Sequence, residues 1–207
     1  MRPVADPPST LHDLFGAIDI YLFDQLLRGR ISRGMRVLDA GCGGGRNLVY
    51  LLREAFDVSA TDKDPGAMAD VRQMAAALAP HLPLSQFRVE PVEACSFPEA
   101  SFDAVLSSAV LHFARDDEQF DAMVGEMWRV LKPGGLLFCR LASSIGLEGA
   151  RPLGKNRYLL PDGSERLLVS ADRLLDTTNR LGARLLDPLK TTVVHGQRSM
   201  TTWVVGK

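Results

Sequence analysis

From residue 35 onward the chain alternates short apolar runs with segments whose apolar residues recur at helical spacing. Residues 35–40, 58–61, 87–90, 103–108 and 136–141 read as buried strands. Residues 47–55, 65–78 and 118–131 read as helices. Pro65 falls in a first turn, Pro80 stops the chain after that helix, and Lys132-Pro133-Gly134-Gly135 ends the next one. Strands that are apolar on both faces and joined by helices predict a mostly parallel sheet covered on each side. Right-handed crossovers then make the architecture α/β and doubly wound.

The flanks follow other patterns. In residues 11–31, Leu11, Leu14, Ile18, Tyr21, Leu22, Leu26 and Leu27 share one helical face, which predicts two short helices stopped at Gly29. Residues 157–160 and 165–169 flank Pro161-Asp162-Gly163-Ser164 and predict a hairpin. Residues 171–181 read as a helix with Ser170 as N-cap and Gly182 as its stop. Residues 185–194 and 200–205, parted by His195-Gly196-Gln197-Arg198, read as an antiparallel pair added to the sheet edge. The organisation expected is a helical lid at 1–34 and one domain at 35–207, with a hairpin insertion at about 150–170.

Composition narrows the class. A chain of 207 residues, 46% hydrophobic and 24% charged, suits one globular domain. A formal net charge of −1 disfavours a dedicated nucleic-acid binder or a polybasic membrane-surface protein. Cys42, Cys95 and Cys139 form no CxxC pair, which argues against a disulfide framework or structural zinc. The proline-rich start lacks the apolar core of a secretory signal, and no apolar run reaches membrane-spanning length. A cytoplasmic protein that uses no metal is expected, either monomer or homodimer.

The sharpest local signal is Val37-Leu38-Asp39-Ala40-Gly41-Cys42-Gly43-Gly44-Gly45-Arg46-Asn47, a strand running through glycines into a helix. Glycines let a ligand lie against the backbone, and such ligands sit at the carboxyl ends of strands. Asp62 ends the second strand, 21 residues beyond Gly41, where a carboxylate can accept both hydroxyls of a ribose. The dinucleotide fingerprint G-x-G-x-x-G fails in both frames, because its sixth position is Arg46 or Leu48. A loop with no pyrophosphate to bind can sit near an amino-acid carboxylate, with Asp39 facing the ammonium. An adenosine joined to an amino acid describes S-adenosylmethionine.

At this point the chain resembles the class I S-adenosylmethionine-dependent methyltransferases of the small bacterial kind, over roughly residues 35–141. VLDAGCGGG resembles the family's first motif and ATDKDPGAM its second, with Asp62 at the ribose position. SFPEASFDAVLSSAVLHF and MWRVLKPGGLLF resemble the stretches around the fourth and fifth strands. The resemblance implies a seven-stranded, Rossmann-like sheet whose last strand is antiparallel. It also implies cofactor contacts from Asp39, Gly41, Cys42, Gly43, Gly45, Asn47, Asp62, Lys63 and Ser108. Relatives often place an Asp after strand three to hold the adenine amino group. Here that position is Pro91, so the duty moves to Glu93, with the Val92 amide reading a ring nitrogen. Gly45-Arg46-Asn47 followed by Asp62-Lys63 is similar to the tellurite-resistance methyltransferases, which carry a histidine and an arginine near the active site. His195 and Arg198 lie in about that region.

Methyl transfer is an in-line displacement from a leaving group that is already activated, so the protein mainly positions two partners and excludes water. Candidates beyond strands four and five are His112, as base or acceptor ligand, and Arg140, as a cation for an anionic acceptor. Tyr21 on the lid, with His195 and Arg198, completes the catalytic set. The expected partner is a small-molecule acceptor. The Asn/Asp-Pro-Pro-aromatic tetrad of nucleic-acid amino methylation is replaced by Ser107-Ser108-Ala109-Val110. The rival readings are a nicotinamide-dependent oxidoreductase and a non-catalytic cofactor-binding module.

Overall fold

The structure is a computed structural model that describes residues 10–207; the proline-rich start and the first part of the lid segment lie outside the described residues. Two short helices come first, α1 (Leu11–Phe15) and α2 (Ile20–Leu27). Then β1 (Arg36–Ala40), α3 (Leu48–Arg53), β2 (Asp57–Asp62), α4 (Pro65–Leu78), β3 (Phe87–Val89), β4 (Phe102–Ser108), α5 (Asp117–Val130) and β5 (Leu131–Ala142) alternate. A three-stranded insertion follows, made of β6 (Arg151–Gly154), β7 (Arg157–Leu159) and β8 (Glu165–Leu167). The chain closes with α6 (Ala171–Arg180), β9 (Arg184–Leu185), β10 (Lys190–Val194) and β11 (Arg198–Gly206).

The main sheet runs β10-β11-β5-β4-β1-β2-β3, with β9 also pairing β11. Strands β1 to β5 are parallel, and β11 is antiparallel to β5, β9 and β10. Alternation along each strand builds two cores. Leu38, Val105, Leu137, Cys139 and Trp203 face a cluster with Met123, Met127 and Leu174 from α5 and α6. Val37, Leu106, Phe138 and Val204 face the opposite cluster with Leu22, Leu51 and Val71 from α2, α3 and α4. Burying both sheet faces this way is the main favourable term in the fold.

Three elements differ from the sequence reading. Strand β5 begins at Leu131, because Lys132-Pro133-Gly134-Gly135 bulges within it. Leu131 pairs Phe102, Leu136 pairs Ala104, and Gly134 donates to the Lys207 carbonyl. The run 185–194 is broken at Asp187-Pro188 into β9 and β10. The hairpin gains β6, whose exposed side chains carry no alternation to announce it. Its tip is as expected: Leu160 N–H donates to the Ser164 carbonyl, and Gly163 takes the left-handed turn position at φ 81.

Candidate functional site

Two clefts open at the carboxyl edge of the parallel strands. The first, about 480 Å³, is lined by Gly41 and Gly43 after β1, by Asp62 and Lys63 after β2, by Val92 and Glu93 after β3, and by Ala109, Val110 and Phe113 after β4. Asp62 stands where β2 ends, and its two oxygens accept from Gly43 N–H at 2.8 Å and Asp64 N–H at 2.9 Å. A carboxylate has about four acceptor sites, so it braces the glycine loop and keeps capacity for ligand hydroxyls. Gly41 and Cys42 donate to the Thr61 carbonyl, which ties the same loop to β2. A Cβ on Gly41 would stand 2.6 Å from Val110 Cγ1, so a side chain there would collide with the β4 loop. Space around Gly43 is open.

Glu93 is held at the opposite wall by Gln119, whose amide Nε2 donates to Glu93 Oε1 at 2.6 Å. Gln119 also lines the cleft. It stands in the first turn of α5, where its backbone N–H donates to the capping Asp116 carboxylate. Asp39 is fully buried behind the loop, and its Oδ2 has no hydrogen-bond partner. Burial pushes its carboxyl up to about 7, against the nearby Arg46 charge and with a smaller push from Asp62. An orphaned buried carboxylate, a braced ribose-side acid and an open glycine turn fit a nucleoside carrying an ammonium group.

Four other residues expected at the cofactor have partners within the protein. Cys42 is buried, its Sγ 3.6 Å from Met68 Sδ, and burial pushes its thiol up, as suits an inert space-filler. Gly45 packs α3 against α4, where a Cβ would approach Val71 to 3.0 Å. Asn47 accepts from Asp19 N–H at 3.0 Å and so anchors the N-terminal segment. Ser108 accepts from Arg46 at 2.7 Å and donates to Asp19 at 3.1 Å. None of these four lines the first cleft.

The second cleft, about 500 Å³, meets the first at Ala109 and Phe113, which line both. His112, Arg140, Arg166 and Arg198 contribute to it, with Asp162 from the hairpin turn and Thr192 from β10. His112 is buried; its Nδ1 accepts from Ala142 N–H at 3.2 Å, so Nε2 carries the hydrogen. Burial, helped by the Arg166 charge, lowers its pKa to about 4. The side chain therefore stands in this structure as a neutral donor. Tyr21 donates to or accepts from Thr192 at 2.6 Å, and its ring lies 5.1 Å beneath the Arg140 guanidinium. His195 is exposed in the β10–β11 turn and lines neither cleft; Arg198 lies where β11 begins, paired with Val194, and does.

Asp19, like Gln119, is a residue the sequence did not single out. Its buried carboxylate caps α2 through Tyr21 N–H and takes Arg140 at 2.9 Å and Ser108 at 3.1 Å, with Arg46 3.6 Å away. It joins the N-terminal segment to the ends of β1, β4 and β5. Among the described residues no cluster of His, Cys, Asp or Glu could hold a metal ion, and no helix is long and apolar enough to cross a membrane.

The strand order, the glycine loop and the acid after β2 define a Rossmann-like S-adenosylmethionine-binding domain. The comparisons with known proteins agree: residues 38–139 match the family described as methyltransferase domain. That match covers just under half of the chain, and the chain is similar to S-adenosylmethionine-dependent methyltransferases. It is 35% identical over 114 residues to an uncharacterized methyltransferase of Bacillus subtilis (strain 168), covering 55% of this chain and 43% of that protein. It is 30% identical over 176 residues to the ubiquinone biosynthesis O-methyltransferase of Methylocella silvestris, covering 78% of this chain and 65% of that one. The chain thus spans about half the length of the first of these relatives and somewhat less than two thirds of the second. A solved S-adenosylmethionine-dependent methyltransferase from Methanosarcina mazei shares the fold at 20% identity and a TM-score of 0.69, covering 88% of this chain and 96% of that one. So does the 1,6-didemethyltoxoflavin-N1-methyltransferase of Burkholderia thailandensis, solved with its substrate and S-adenosylhomocysteine, at 20% identity, a TM-score of 0.67 and coverage of 90% and 75%.

Proposed function

We propose that the chain transfers a methyl group from S-adenosylmethionine to a small-molecule acceptor seated in the second cleft. The observation that carries this is the meeting of two clefts at Ala109 and Phe113, one lined by Gly41, Gly43 and Asp62 and the other by His112 and arginines. Asp62 would hold the ribose, Val92 and Glu93 the adenine edge, and Asp39 the ammonium through the glycine loop. When bound, the cofactor supplies an electrophilic methyl on a positively charged sulfur. The chain's own part is to fix the acceptor, exclude water and donate from His112 Nε2. A cleft closed by a hairpin suits a small molecule better than a polymer. Of the expected lid at residues 1–34, the described part from residue 10 onward is proposed to be held against the site by Asp19.

The narrower likeness to tellurite-resistance enzymes rests on five residues, of which Gly45 and Asn47 serve packing and the N-terminal segment, so it does not define the acceptor. The reading is tested by calorimetry with S-adenosylhomocysteine. Asp62→Ala should weaken binding by about 1–3 kcal/mol, because polar partners are left unpaired. Unchanged affinity in that variant would remove the ribose assignment.

A further inference from the structure

We propose that the second cleft selects an organic anion, a small molecule whose carboxylate is taken by Arg166 and Arg198 while its apolar body lies against Phe113. This rests on the methyl-transfer reading and names the chemistry of its acceptor. Four guanidinium groups line the cleft, on Arg46, Arg140, Arg166 and Arg198, and Asp162 is the one carboxylate among its lining residues.

The inner pair of arginines is already committed. Arg140 and Arg46 share the buried Asp19 carboxylate, at 2.9 Å and 3.6 Å. The outer pair is not matched in the same way. Arg166 donates to its neighbour Glu165's carbonyl at 2.7 Å, and its guanidinium lies 4.6 Å over the Phe113 ring. Asp162 spends one oxygen on the turn, accepting from Ser164 N–H at 2.9 Å and Ser164 Oγ at 2.6 Å. The cleft therefore carries a surplus of positive charge even with both carboxylates counted. Deeper in, the buried Arg140 Nε has no partner, and His112 presents a neutral N–H. All of these groups donate, and donors in excess of acceptors recognise an anion. Leu160, Met200 and Ala142 add an apolar flank, which favours an organic body over a bare inorganic ion.

The test titrates the S-adenosylhomocysteine complex of the full chain with benzoate and with its neutral counterpart benzamide. Benzoate should bind about tenfold or more tightly than benzamide, and added salt should erode that difference. The double variant Arg166→Ala, Arg198→Ala should lose the preference while holding S-adenosylhomocysteine as the parent does. Equal binding of the pair, binding of neither, or a preference that survives in the double variant would overturn the proposal. So would inorganic sulfate binding as well as benzoate, since that assigns the site to any oxyanion. Failure of S-adenosylhomocysteine itself to bind would instead overturn the methyl-transfer reading beneath it.

Discussion

Asp39 and His112 are buried titratable groups whose protons are held in opposite senses. The folded Asp39 keeps its proton up to about 7, whereas the ordinary value is 3.8. Its contribution to stability is complete below 3.8 and is lost as the pH rises through about 7. The folded His112 takes no proton until about 4, against an ordinary 6.5. Its contribution is complete above 6.5 and is lost as the pH falls through about 4. Between about pH 4 and 6.5 the two therefore cancel, one proton against one. Urea denaturation across that window should show Asp39→Asn losing stability on acidification faster than the parent, and His112→Asn losing it more slowly. Parallel curves for parent and variants would dispose of both charge states. The sequence pointed to these two residues because Asp39 lies among the last residues of β1 and His112 just beyond β4, near the strand ends where ligands of such sheets collect. Gln119 and Asp19 escaped it for a physical reason. Gln119 is a cap-turn residue whose partner Glu93 lies 26 positions away, and Asp19 reaches Ser108 and Arg140 across 89 and 121 positions. Nothing local announces such partners.

At the scale of elements, α1 is held by Phe15 against Tyr50 of α3, and α2 by two carboxylates as well as by its apolar face. Asp19 caps α2 and takes Arg140, while Asp187, at the break between β9 and β10, accepts from Gln25 at 3.0 Å and pairs with Arg30 at 2.8 Å. Removing one partner of a fully buried pair costs about 3–5 kcal/mol, and the one-fifth exposure of Arg140 brings Asp19→Asn nearer to about 2–3 kcal/mol. The same variant should expose the α2 end to proteolysis at Arg28 and Arg30. Asp24→Asn is the control: it breaks the solvent-screened pair with Arg28 and should cost far less than Asp19→Asn. Equal losses in the two variants would deny Asp19 its role as anchor. The helices read well from sequence because caps are local: Asp64 with Pro65 opens α4, and Ser170 opens α6. Strands read less well where tertiary pairing overrides pattern. The bulge in β5 exists because Gly134 and Gly135 bond Lys207 at the far end of β11, and β6 pairs β7 through exposed residues.

The molecule as a whole fixes one edge and dresses it. Five parallel strands end together, each contributes a loop, and the two covered faces keep those loops in register. Ala109 marks where the clefts meet. It holds φ 65 with its N–H on the Arg140 carbonyl at 2.7 Å, a left-handed conformation that costs an alanine about 1–2 kcal/mol. Strain of that kind persists where surrounding structure over-determines it, and here β4, β5 and the glycine loop do so. The sequence indicated the edge and the first cleft, since both follow from strand order and loop chemistry. The second cleft was out of reach, because β5, the β7–β8 turn, β8, β10 and β11 converge on it only through the fold. A site assembled at a rigid edge couples ligand binding to global unfolding. S-adenosylhomocysteine at a hundredfold excess over its Kd should add about 2.7 kcal/mol. For a chain of this size each kcal/mol moves the midpoint by about 2–4 °C, so the melting temperature should rise by about 5–10 °C. Asp62→Ala should shrink that rise at the same ligand concentration, and nicotinamide dinucleotides should give none. A rise with the dinucleotides and none with S-adenosylhomocysteine would reassign the glycine loop to redox chemistry, whatever the missing third glycine suggests.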